Sequence, residues 1–185
     1  MFTHRLDAQT ELRLLEPRHA SAYHAMIEAN RGHIEAFVRS ASRVQSVETA
    51  HATLEMYLER FAAGTSLHCG LWHQERLVGE VLLFSIDMRD RSAEIGYMLA
   101  AEAQGRGLVT RACEALLAHA FDTLALHRVE LRCAPENDRS RRIAERLGFV
   151  QEGRLRQCNW MHERWADLLV FALLAPEWRG SNDAP

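Results

Sequence analysis

The chain has 185 residues, enough to bury a substantial core, and 48% are hydrophobic against 25% charged, which excludes a disordered polymer. A net charge of −3 argues against nucleic-acid binding by bulk electrostatics, and no apolar run reaches the about 20 residues that span a bilayer. The opening residues, MFTHRLDAQTELRL, carry no signal-type apolar stretch, so the cytoplasm is the expected compartment.

Glu11–Glu16 alternates Leu12 and Leu14 with polar residues, the pattern of an edge strand. Pro17 then favours a helix start, with Ala22, Tyr23, Met26 and Ile27 as the apolar face. A second helix is predicted over Val47–Ala63 from Val47, Ala50, Leu54, Tyr57, Leu58 and Phe61, and Gly64 is placed to end it. Strands follow at Leu67–His73, Leu77–Phe84 and Ser92–Leu99. The short polar links at His73–Arg76 and Asp87–Arg91 make them an antiparallel meander. After a glycine-rich turn, Leu108 to Leu124 forms an apolar helical stripe, and Arg128–Cys133 reads as a strand. Strand, helix, strand at this spacing is a crossover, so Ser92–Leu99 and Arg128–Cys133 should run parallel. Asn137–Leu147 is a short helix ended by Gly148, and a hairpin of Val150–Asn159 and Trp165–Leu174 turns near His162–Glu163. The expected fold class is α+β: a mixed, mostly antiparallel sheet with a central parallel pair and helices on both faces. One domain is expected over residues 1–180, with 181–185 as a flexible tail.

The chemistry concentrates at Gln104–Thr110, QGRGLVT. Gly105 and Gly107 let backbone N–H groups approach an anion without a Cβ in the way. The first turn of the following helix offers about four N–H groups without internal partners and roughly half a positive charge, a ready phosphate site. Arg106 adds a full charge and Thr110 a hydroxyl. No Lys follows, as a P-loop requires, and Thr110 stands where a dinucleotide fingerprint needs its third Gly. The four cysteines and ten histidines are scattered without ligand spacing, so no metal is expected.

The run Ala93–Phe121, followed by Arg128–Cys133 and Pro135–Arg156, resembles the GNAT acetyltransferase superfamily, and within it the RimJ/RimL branch, whose named members acetylate N-termini of ribosomal proteins. The resemblance covers about residues 10–178. It implies an N-acetyltransferase that moves an acetyl group from acetyl-CoA to a primary amine by direct attack, a protein N-terminal α-amine leading; a non-catalytic acyl-CoA sensor and an acetyltransferase for a small amine or antibiotic stand as alternatives. Gln104, Gly105, Arg106, Gly107, Leu108, Val109 and Thr110 are then the pyrophosphate site, although Val109 departs from the family's Gly or Ala. Met98 and Leu99 fall where the family's strand pairs with the pantetheine arm, and Asn137 and Ser140 match the N-x-x-S helix on its other side. Asn137 reads equally as a plain N-cap.

The same resemblance assigns the oxyanion to the Met98 backbone N–H and protonation of the leaving thiolate to Ser140. Cys133 stands where related enzymes also carry Cys, though it reads first as a buried apolar thiol. The base is the open question. Asn159 occupies the position of a Glu in relatives, and Phe171 that of a Tyr. Glu94 and Glu80 are the remaining acids within strands, each able to act through water and each also readable as a paired structural carboxylate. Asp167 matches a recurrent acid. Arg31, His33, Glu35, Arg39 and Arg43 cluster in the link between the first two helices, on the acceptor side, where a solvated face is the plainer reading. The apolar strand at Leu168–Leu174 leaves room for a homodimer.

Overall fold

A computed structural model describes residues 3–178; the expected tail lies outside the described residues. Eight strands form one sheet: β1 (Thr3–Arg5), β2 (Thr10–Leu14), β3 (Leu67–His73), β4 (Arg76–Asp87), β5 (Ser92–Leu99), β6 (Arg128–Cys133), β7 (Val150–Met161) and β8 (Arg164–Leu174), in the order β1-β2-β3-β4-β5-β6-β8-β7. Among the described residues only β5 and β6 run parallel, as the crossover predicts. The helices are α1 (Ala20–Ala29), α2 (Arg31–Glu35), α3 (Val47–Ala62), α4 (Leu108–Ala118) and α5 (Asp138–Arg146).

Period-two alternation divides each central strand between two cores, with a register shift between β3 and β4 at Leu71/Trp72 reversing the phase of β4 at Leu77. Cys69 and Leu71 of β3, Val81 and Leu83 of β4 and Ile95 of β5 face α4, whose Leu108, Ala112, Cys113, Leu116 and Leu117 are buried against them. Trp72, Leu77 and Met98 face the other way, into a second core with Tyr23 and Ile27 of α1 and Ala50, Leu54 and Tyr57 of α3. Helices therefore cover both faces. Two-residue turns at Gln74–Glu75 and His162–Glu163 have positive φ throughout (50°, 60° and 49°, 58°), the twist that closes a tight hairpin, here without glycine.

The structure corrects several expectations. Glu11–Glu16 is not an edge, because β1 pairs outside β2. Val47 and Phe61 continue the α3 stripe beyond both of its buried ends and are exposed, at 39% and 43%. The helix predicted to reach Leu124 relaxes after Ala118 into a π-turn over His119–Thr123, closed by Leu124 N–H donating to the His119 carbonyl at 3.0 Å. The link after α1 is helical in part, as α2 and a 3₁₀ turn at Arg39–Arg43. The strand proposed for dimerisation, β8, lies inside the sheet between β6 and β7, with Leu169, Phe171, Ala172 and Leu173 buried, so its apolarity is consumed within the fold.

Candidate active site

The parallel pair is short. Ser92, Ala93 and Glu94 pair with Arg128, Val129 and Glu130, and no pairing extends beyond them. From Ile95 to Leu99 the edge of β5 that faced β6 is open. Ladder alternation fixes which groups point into this wedge. On one side the Ala100 N–H donates to the Val78 carbonyl at 2.8 Å; on the other the Arg91 carbonyl accepts from the His127 N–H at 2.6 Å. Even-numbered residues of β5 therefore turn their backbone groups toward β4, and odd-numbered ones toward the wedge. Met98, paired with Glu80, directs its N–H into the sheet. The expectation that this N–H meets an oxyanion is overturned; Tyr97 and Leu99 present theirs to the open edge. Gly79 is required here by close approach, since a Cβ on it would lie 2.4 Å from the Met98 carbonyl oxygen.

Beyond this edge lies the glycine turn. Gly105 and Gly107 have φ of 75° and 69°, and Gly107 is the N-cap of α4 without any side-chain cap, so the first N–H groups of the helix are left for a ligand. A cavity of about 660 Å³ runs from the wedge to this turn, lined by Tyr97, Met98, Leu99, Gln104, Gly105, Gly107, Leu108, Val109, Thr110, Asn137 and Ser140. Of the residues expected around coenzyme A, Arg106 alone is missing from its walls: its guanidinium points back to His73, with Nη1 3.5 Å from Nε2. Val109 does not crowd the turn, because its side chain is buried in the α4 core. Gln104 is a brace. Its amide nitrogen donates to His33 Nε2 at 2.5 Å, and its oxygen accepts from Arg139, tying the turn to α2 and α5. Asn30 adds a second tie, its Oδ1 accepting from the Ala101 N–H at 2.8 Å.

Positive charge comes from a helix that sequence reasoning passed over. Arg139, Arg142 and Arg146 of α5 line the same cavity. Their three- and four-residue spacing on one helical face was the available signal. Asn137 caps α5, its Oδ1 accepting from the Ser140 N–H at 3.1 Å, while its side chain also reaches the cavity wall.

A second cavity, about 760 Å³, opens on the α3 side of the wedge and shares Tyr97, Met98, Asn137 and Ser140 with the first. Glu94 lines it. Burial raises the Glu94 carboxyl above the ordinary carboxylate range, with Arg132, 3.4 Å away, opposing and Glu130 adding. Cys133 also lines it, and burial pushes its thiol up to about 11, which keeps it neutral at physiological pH. The Tyr97 hydroxyl is buried without a hydrogen-bond partner among the described residues. Burial drives its pKa well up; the nearby Ser140 hydroxyl pulls the other way without completing a bond of normal geometry. Asn159 lies in the wall, but Asp167 is committed elsewhere. Its carboxylate accepts from Arg154 Nε at 2.6 Å and from the Gln157 N–H at 2.7 Å, bracing a register shift in β7 and holding its pKa low. Phe171 is packed in the core. Glu80 is paired, as its plainer reading anticipates: Oε2 accepts from the Tyr23 hydroxyl at 2.8 Å and Oε1 lies 2.6 Å from His68 Nδ1. Among the described residues no group of three His, Cys, Asp or Glu is arranged for a metal, and no helix is long and apolar enough to cross a membrane.

An open strand edge, an uncapped helix N-terminus with adjacent arginines and a second cavity meeting the first at the wedge form a two-sided site with room for a donor and an acceptor. Residues 9–150 match the model of the acetyltransferase (GNAT) domain. The putative ribosomal N-acetyltransferase YdaF of Bacillus subtilis (strain 168) is 33% identical over 98% of this chain and 100% of its own length. A crystal structure of a probable acetyltransferase superposes with a TM-score of 0.91 at 32% identity, covering 96% of this chain and 99% of that one. A ribosomal L7/L12 α-N-protein acetyltransferase, RimL, in complex with coenzyme A shares the fold at a TM-score of 0.90 and 21% identity, over 94% and 98% of the two chains. The chain belongs to the GNAT acetyltransferase family and is an acetyl-CoA-dependent N-acetyltransferase. The site suits that donor on its own chemistry: the open N–H and C=O groups of Tyr97 and Leu99 could pair with amides of a pantetheine arm, and an uncapped helix N-terminus suits a pyrophosphate.

Proposed function

We propose that the acceptor is a protein N-terminal α-amine and that the first residues of that protein are acidic. The observation that carries this reading is the acceptor cavity itself, which meets the donor cavity at Tyr97, Met98, Asn137 and Ser140 and is walled by four arginines, Arg39, Arg43, Arg60 and Arg164, that form no ion pair among the described residues. Such a rim attracts carboxylates and repels a polyamine. The names of two relatives, a putative ribosomal N-acetyltransferase and an L7/L12 α-N-protein acetyltransferase, support a protein amine.

In this reading the donor occupies the groove formed by Leu99, Gln104, Gly105, Gly107, Leu108, Val109, Thr110 and Asn137. The Tyr97 N–H takes the charge that builds on the thioester oxygen, since it is a fixed donor on the open edge. The Ser140 hydroxyl returns a proton to the departing thiolate, whose conjugate pKa is about 8.5. An α-amine with a pKa near about 8 is largely charged at neutral pH and must shed a proton before attack, so the acceptor cavity has to supply a base.

Peptides with acidic, neutral or basic residues after a free N-terminus, together with spermidine, are incubated with the enzyme and acetyl-CoA while free thiol and product mass are followed. Acidic peptides should give the highest kcat/KM; preference for spermidine would overturn the acceptor assignment. Gly107→Trp should weaken coenzyme A binding at least about tenfold by filling the phosphate cradle, and unchanged affinity would overturn the placement of the pyrophosphate.

A further inference from the structure

Resting on the acetyl-transfer reading above, we infer that His68, oriented by Glu80, is the base that takes the proton from the acceptor ammonium. Sequence motifs gave no sign of it. The two residues lie on neighbouring strands, β3 and β4, and their side chains meet on the α3 face of the sheet, in the wall of the acceptor cavity. Both are 4% exposed. Glu80 Oε1 stands 2.6 Å from His68 Nδ1, and its other oxygen is held by the Tyr23 hydroxyl at 2.8 Å. A carboxylate only accepts, so with Glu80 in that form the hydrogen sits on Nδ1, and a base at this position would use the lone pair of Nε2. That Nε2 is buried and has no hydrogen-bond partner among the described residues. A structural histidine would be expected to use both nitrogens. Here one nitrogen is fixed by a carboxylate and the other is left for a ligand, which is the arrangement of an oriented general base.

The surroundings suit the charge that a proton would bring. The Tyr57 ring lies parallel to the imidazole, with centroids 3.5 Å apart and planes 13° apart, so the imidazolium forms between a carboxylate and an aromatic face. Tyr23 closes the pair from α1, and Arg43 and Arg60 stand farther out on the same cavity wall. Of the other acids in the cavity wall, Glu94 has Arg132 as its ion-pair partner and Glu136 is exposed on the loop before α5. Met98 is paired directly with Glu80, next to Tyr97 at the wedge. β3 lies two strands from β5, about 10 Å, so the proton travels through water between the ammonium and Nε2. The ammonium loses a proton to Nε2, the freed nitrogen lone pair forms the N–C bond to the acetyl carbon, the C–S bond breaks, and the thiolate sulfur takes a proton from Ser140, whose hydroxyl is restored by the second proton that the acetylated nitrogen releases on becoming an amide. The imidazolium returns its proton to solvent. Glu80 acts only through His68 and is a positioning residue.

Three variants, His68→Gln, His68→Gly and Glu80→Gln, are compared with wild type for circular dichroism, coenzyme A affinity and the pH profile of kcat/KM with an acidic N-terminal peptide. Wild type should show a rising acid limb of unit slope. His68→Gln should lower kcat about 100-fold with coenzyme A affinity kept, and should leave only the limb set by the α-amine itself, near about pH 8. His68→Gly should regain activity with added imidazole in proportion to its unprotonated fraction. Glu80→Gln, which keeps an acceptor oxygen for Nδ1–H, should fold normally and move the limb without removing it. Folded His68→Gln with a wild-type profile, or His68→Gly that is active and indifferent to imidazole, overturns the assignment. Absence of acetyl transfer to every peptide by wild type overturns the acceptor reading instead, so the two failures are distinct.

Discussion

At the scale of single residues the site depends on a glycine outside the phosphate turn. Gly79 lets β4 approach the Met98 carbonyl so closely that a methyl group would meet backbone oxygen at 2.4 Å, and backbone cannot step aside as a side chain can. Gly79→Ala should therefore cost about 2 kcal/mol in urea unfolding and lower acetyl transfer by displacing the open edge of β5. Glu94 makes a prediction of opposite sign. Burial raises its carboxyl above the ordinary range, outweighing Arg132. Folding thus favours the protonated form: the stabilisation is complete below the unfolded carboxylate pKa and is lost as pH rises through the raised folded value. At pH 7 the ionised side chain is a small cost, reduced by its partial exposure. Glu94→Gln should raise the melting temperature by about 1–2 °C at pH 7 and leave it unchanged below about pH 4, as thermal unfolding across pH would register.

At the scale of elements, the cap of α5 is also a wall of the cavity proposed for the donor. Asn137 satisfies the Ser140 N–H as a cap and also lines the donor cavity. Asn137→Ala should cost about 1 kcal/mol of stability and weaken coenzyme A binding, whereas Asn137→Ser should restore the stability, so calorimetry on both variants separates cap from contact. The longer helices, the hairpins after β2, the crossover and the glycine turn are legible in the sequence because each is set by local periodicity or by a residue with special φ. The errors were of another kind. Which of Met98 and Tyr97 turns its N–H outward depends on pairing with β4, a partner in space whose register with β5 shifts only after Phe84. Arg106 was assigned to the phosphate by position, yet it turns to His73, whose other nitrogen is engaged by Thr10 on β2. The His68–Glu80 pair spans two strands and follows from their register alone. Long-range pairing decides all three, and no local pattern encodes it.

At the scale of the whole molecule, net charge and local charge point in different directions. The chain is acidic overall at −3, but its two cavities are lined by arginines of separate origin: α5 supplies the cavity at the glycine turn, while α3, the link before it, β6 and the β7–β8 hairpin supply the cavity proposed for the acceptor. An arrangement of this kind acts on encounter and selectivity more than on fold. Reversing Arg39 and Arg60, both exposed and outside the wedge, should leave stability and coenzyme A affinity close to wild type. The kcat/KM for an acidic N-terminal peptide should fall at least about tenfold, and the penalty should shrink as ionic strength rises from 0.05 to about 0.5 M, where charges farther apart than a few ångströms are screened. For spermidine the same double variant should gain. A loss for acidic peptide that is insensitive to salt would mean that the arginines contact the acceptor at close range. Equal losses for acidic and basic peptides would remove charge as the basis of acceptor choice and leave the shape of the cavity to account for it.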